Sequence, residues 1–98
     1  MSIGLAIRQI AQYTVRYDQA SSKVNFIQQQ LQWVAMAAAA NGGKEPDPRA
    51  TERLRKELAI AMFLQGLFKD FMEYWKEVIK STLQIIKSLG ELAFSGGR

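Results

Sequence analysis

The sequence predicts an all-α protein: two long antiparallel helices in a helical hairpin that is completed by oligomerisation. Three observations point there. Proline occurs only at Pro46 and Pro48, so long stretches on either side are free to be helical. Apolar residues on both sides of that point recur in steps of three and four, the period of a helix with one apolar seam. The stretch Leu58–Phe68 is apolar nearly all the way round, and a helix of that kind is buried on every face.

The first helix is expected over residues 3–40. Its seam reads Ile3, Ile7, Ile10, Tyr13, Tyr17, Ala20, Val24, Ile27, Leu31, Val34 and Ala38, with one three-three step near Tyr13. Glutamines fill much of the polar side. Ser21 and Ser22 compete for backbone hydrogen bonds and can cap a new helix, so a break there would give three helices. The seam runs through that point in phase, which favours one helix. The small-residue run Ala35 to Ala40, interrupted by Met36, either ends the helix or lets a neighbouring helix approach closely.

Residues 41–48 are the loop. Asn41 or Gly42 can take the left-handed conformation that ends a helix, and Gly43 follows. Pro46 and Pro48 forbid continuation, and Asp47 can cap the next helix with Pro48 as its first residue.

The second helix is expected over residues 48–92, with residues 93–98 as a frayed tail. Its polar stripe is Lys69, Glu73, Lys76, Lys80, Gln84, Lys87 and Glu91; the opposite side carries Leu58, Ala61, Phe68, Met72, Trp75, Ile79 and Ile86. The whole chain is one hairpin domain over residues 1–98. Its candidate core is Ile27, Leu31, Val34, Ala61, Phe68, Met72, Trp75 and Ile79. A helix of about 44 residues is roughly 66 Å long, whereas a compact chain of this size has a radius near 13 Å. Two such rods have much surface for their volume, so other copies or partners are expected to complete the core.

Composition narrows the function classes. The 98 residues contain 48% hydrophobic and 22% charged positions, an ordinary globular balance. Cysteine and histidine are both absent, which excludes disulfides, thiolate chemistry and the usual zinc sites, and removes the commonest general base. Gly42-Gly43-Lys44 lacks the spacing of a phosphate-binding loop. No catalytic, metal or cofactor-binding residue is expected. The net charge of +4 is spread over both halves and supports only weak attraction to acidic surfaces; no basic face with stacking aromatics marks a nucleic-acid binder. The N-terminus does not read as a cleavable signal, and no run of about 20 apolar residues is long enough to span a membrane.

The candidate subunit interface is Leu58, Ile60, Phe63, Leu64, Leu67, Phe71 and Tyr74. Phe63, Phe71 and Tyr74 lie on a second face of the helix, where packing within the chain competes with a subunit contact. Arg49, Arg53, Arg55 and Lys56 open the second helix, where its dipole disfavours cations. Glu52–Lys56 and Arg53–Glu57 pairs neutralise some of this charge. Arg49 and Arg55 have no obvious partner and are candidates for an intermolecular charged contact or a lumen lining.

Asn41 through Pro48, followed by the mixed aromatic and basic helix from Leu54 to Leu89, resembles the needle-filament subunits of type III secretion systems, and less closely their inner-rod subunits. The resemblance covers about half of the chain. It implies a helical polymer with a lumen, export without signal cleavage to a secreted or cell-surface location, and a helical chaperone before assembly. Two other classes fit the residues: a soluble helical adaptor or chaperone working in the cytoplasm as a small oligomer, and a peripheral membrane protein that uses its amphipathic N-terminal segment.

Overall fold

A computed structural model of the chain describes residues 2–96. It is an all-α hairpin of two helices, α1 (Ile3–Ala40) and α2 (Pro48–Gly96), without strands among the described residues. The hairpin is a rod of 85 × 17 × 14 Å with a radius of gyration of 23.2 Å. That radius is well above the roughly 13 Å of a compact chain of this length.

Local chemistry sets each helix end. Ser2 has extended backbone, and its hydroxyl oxygen accepts from the Leu5 N–H at 3.0 Å, satisfying one free donor of the first turn of α1. At the other end, the Asn41 N–H donates to the Ala37 carbonyl and the Gly43 N–H to the Ala39 carbonyl. The chain reverses at Gly42 and Gly43, with φ of +85° and +75°, while Asn41 has φ of −89°. The left-handed step therefore falls on the glycines, where no Cβ opposes it. Asp47 caps α2: its Oδ1 accepts from the Arg49 N–H at 3.1 Å, and Pro48 is the first helical residue.

The Ser21-Ser22 break does not occur, and α1 is one helix of 38 residues. The Ser21 hydroxyl is engaged instead by Gln65 of α2, whose Nε2 donates to it at 2.8 Å. At its other end α2 continues to Gly96, four residues beyond Leu92. Ala93 and Phe94 prolong its apolar side, and Ser95 and Gly96 complete the last turn. The remainder of the expected frayed tail, 97–98, lies outside the described residues.

The two helices meet along a heptad seam. On α1 it runs Ile3, Ala6, Ile10, Tyr13, Tyr17, Ala20, Val24, Ile27, Leu31, Val34, Ala38; on α2 it runs Leu54, Leu58, Ala61, Gln65, Phe68, Met72, Trp75, Ile79, Thr82. Every one of these residues is buried or half-buried. The expected seam needs one correction: Ile7 is 56% exposed, and Ala6, fully buried, takes its place. Through Ala6 the steps alternate three and four without interruption, as an antiparallel partner requires. The register is set by named contacts. Thr14 Oγ1 lies 3.2 Å from Met72 Sδ, and Ser21 meets Gln65, so seven residues along α1 match seven residues back along α2.

The seam holds a narrow core. Val24, Ile27 and Ala61 form its buried centre, with Leu31, Leu54 and Leu58 packed around it. Ile27 is the one large side chain fully buried among the described residues. Toward the chain start, Tyr13 stacks against Phe68 and meets Phe71 at a tilt, with ring centroids 6.2 and 5.0 Å apart. Such pairs add about 0.5–1.5 kcal/mol beyond area burial.

Candidate functional site: an uncovered apolar stripe on α2

Helix α2 carries two apolar stripes, and α1 covers only one of them. The second begins Ile60, Phe63, Leu67, Phe71, Tyr74, again in steps of three and four, and continues through Val78 to Ile85, Leu89 and Leu92. At about 100° per residue its centre lies roughly 130° round the helix from the α1 seam. Phe63 is 68% exposed and Tyr74 56%, and Ile60 is equally open. Large apolar side chains of this kind sit on the surface of a stable monomer singly, not as a stripe several turns long.

The expected interface residues divide on this geometry. Ile60, Phe63 and Tyr74 stand free on the stripe, Leu64 lies at its edge, and Leu67 is half-buried. Leu58 is a correction. It packs against the Val24–Ile27–Ala61 centre and belongs to the intramolecular seam, because it falls between Leu54 and Ala61 in the heptad. Phe71 is shared: one side contacts Tyr13 of the same chain, and the remainder is open. Tyr74 is held edge-on to Trp75 at a centroid distance of 5.3 Å, which orients its ring. Of the expected core residues, Ile27 and Ala61 are buried, and Leu31, Val34, Phe68, Met72, Trp75 and Ile79 are half-buried along the seam.

A second exposed set lies on α1. Val15, Phe26 and Trp33 are more than half exposed, and Phe26 borders a groove that it shares with Leu54 and Glu57 of α2. Their spacings of eleven and seven residues are close to whole helical turns, a signal present in the sequence but outweighed there by the stronger seam.

The charged opening of α2 behaves as local chemistry dictates. Arg53 pairs with Glu57 at 3.4 Å and Lys56 with Glu52 at 3.3 Å, both exposed and both one turn apart. Such surface pairs contribute about 0–1 kcal/mol. Arg49 and Arg55 make no salt bridge among the described residues. Among the described residues there is no group of three potential metal-ligating side chains, and no helix is long and apolar enough to cross a membrane. Gly42, Gly43, Pro46, Asp47 and Pro48 shape the turn and stand at the end of the rod remote from Ile3 and Gly96.

The chain matches no protein-family model, no curated protein and no solved structure.

Proposed function

We propose that the chain is a structural subunit of a homo-oligomeric helical assembly, held together through the uncovered stripe of α2. The single observation that carries this reading is the presence of two parallel apolar seams on one helix, of which the chain itself fills one. An apolar stripe on a rod gains stability by packing against another helix, and each large side chain so buried contributes about 1.5–3 kcal/mol. The stripe carries no charge from Ile60 to Phe63 or at Leu67, Phe71, Tyr74 and Val78, so a second copy of the same surface meets no repulsion there.

The elongated shape supports the same reading. A rod with so few buried residues has little core of its own, and a lateral neighbour supplies more. A secretion-type filament with a lumen is the specific form of assembly proposed, on the strength of the resemblance in the loop and second helix. Arg49 and Arg55, at the turn, are then placed to meet acidic groups of a neighbouring subunit or to face the lumen. Electron microscopy of the purified full chain tests the proposal. Regular rods that vanish in Phe63→Glu are the expected result; a field without ordered particles at any concentration refutes the filament.

A further inference from the structure

The seam of α2 outlasts its partner. Thr82 is the last half-buried residue of α2, and every residue from Leu83 to Gly96 is exposed. The register set by Thr14–Met72 and Ser21–Gln65 explains why: it brings Ile3, the first residue of α1, level with residues 82–83. The last 14 residues of α2, about 21 Å of helix, therefore project past α1, and no described residue of α1 lies beside them.

The overhang is not a polar tail. Leu83, Ile85, Ile86, Leu89, Leu92 and Phe94 are between 52% and 80% exposed. The α1 seam continues through it in phase, from Ile79 and Thr82 to Ile86, Leu89 and Ala93. The only charges between Leu83 and Gly96 are Lys87 and Glu91, and at about 100° per residue both fall on the far side from that seam.

We infer that this overhang pairs antiparallel with the overhang of a second copy, so that two rods join tail to tail about a two-fold axis. Along most of α2 the seam accepts an antiparallel helix, which is α1. Past Thr82 no described residue covers that seam, and a second copy entering from the opposite end presents an antiparallel helix to it. Its own overhang carries the same uncharged arc, so the surface is self-complementary, as a two-fold contact requires. One antiparallel helix covers Ile86, Leu89 and Ala93 with the flanks of Leu83 and Ile85, so the pair of overhangs removes less than about 1,000 Å² from water, below the usual size of a stable interface. The contact is accordingly weak and concentration-dependent.

The inference rests on the self-association proposed above, and it adds a contact of different geometry. Ile86 and Ala93 lie on the α1 seam line and not on the lateral stripe, so the two contacts separate by mutation. A tail contact alone closes into a dimer; together with a lateral contact on another face it extends the assembly.

The test is a spin-label distance in the full chain. The protein has no cysteine, so Lys76→Cys, on the exposed polar side, gives a single labelling site. Tail-to-tail pairing centred between about residues 87 and 91 places the two labels about 35–45 Å apart, from 1.5 Å of rise per residue. The expected result is a peak in that range that is lost in Ile86→Glu and in Ala93→Glu but persists in Phe63→Glu. Both tail variants lie outside the hairpin core and keep its helicity. Absence of the peak, its survival in the tail variants, or its loss in Phe63→Glu overturns tail pairing. If the peak is absent while the mass in solution exceeds one chain, only the tail contact falls; if the chain is a monomer throughout, the homo-oligomer reading falls with it.

Discussion

Gln65 of α2 donates a 2.8 Å hydrogen bond to the hydroxyl of Ser21 on α1, across the middle of a mostly apolar seam. Gln65 occupies a seam position and Ser21 borders one. Sliding α2 by one heptad would leave the Ser21 hydroxyl facing Leu58 or Met72 in place of Gln65. A polar pair in a seam can thus select one register at modest expense in stability.

A double-mutant cycle over Ser21→Ala and Gln65→Ala checks this pair. Urea unfolding at fixed protein concentration should give a coupling energy of about 0.5–1.5 kcal/mol, the usual worth of one intramolecular hydrogen bond. Additive single variants would mean that the two side chains do not interact in solution.

The position of the seam near the chain start is tested by neighbours. Ala6→Leu inserts bulk into a fully buried site and should destabilise the hairpin by about 1–3 kcal/mol. Ile7→Ala removes an exposed side chain and should stay within about 0.5 kcal/mol of the parent. The reverse ranking in thermal melts would restore Ile7 to the seam.

Two glycines make opposite predictions. Gly42 has φ of +85°, so Gly42→Ala should destabilise by about 1–2 kcal/mol despite open space around it. Gly66 lies inside α2, and a Cβ there meets no heavy atom within 4 Å. Gly66→Ala should therefore stabilise by about 0.5–1 kcal/mol, through helix propensity alone. Equal effects from the two would contradict the turn geometry.

Arg49→Glu with Arg55→Glu separates folding from assembly. Arg49 lies in the first turn of α2, where an acidic residue suits the dipole, so the hairpin itself should gain about 0.3–1 kcal/mol there at low salt, while Arg55, two turns in, adds little. Assembly should weaken at low salt and approach the parent at high salt if the arginines meet acidic neighbours. Unchanged assembly at every salt concentration would show that both arginines are merely solvated.

Much of this architecture was legible because its causes are local. Pro46, Asp47 and Pro48 cap and start a helix by covalent geometry and one side-chain oxygen, whatever packs around them. The seam was legible in outline from its period. It departs from that outline at Ala6 and Ile7, because the isoleucine carries the bulk while the unbroken three-four alternation runs through the alanine. Leu58 carries both signals in the sequence, the seam side with Ala61 and Phe68 and a stretch apolar all round, and the heptad from Leu54 to Ala61 decides it inward. Gln65 escaped notice because it is polar; its partner lies 44 residues away, and that pairing depends on register. The uncovered stripe at Phe63 and Tyr74 was visible as a second face, while its continuation to Leu92 emerged once α2 was seen to run past the start of α1.

The measurement that bears most directly on the account is the mass of the full chain in solution, by sedimentation over a wide concentration range, beside Phe63→Glu. Phe63 is 68% exposed in the single hairpin, so its replacement by glutamate leaves the fold intact. The account predicts a parent whose mass climbs well above one chain as concentration rises, and a helical Phe63→Glu variant of smaller mass. A parent that stays at the mass of one chain throughout, or a variant that associates as the parent does, would contradict the claim that the uncovered stripe of α2 joins copies of this protein.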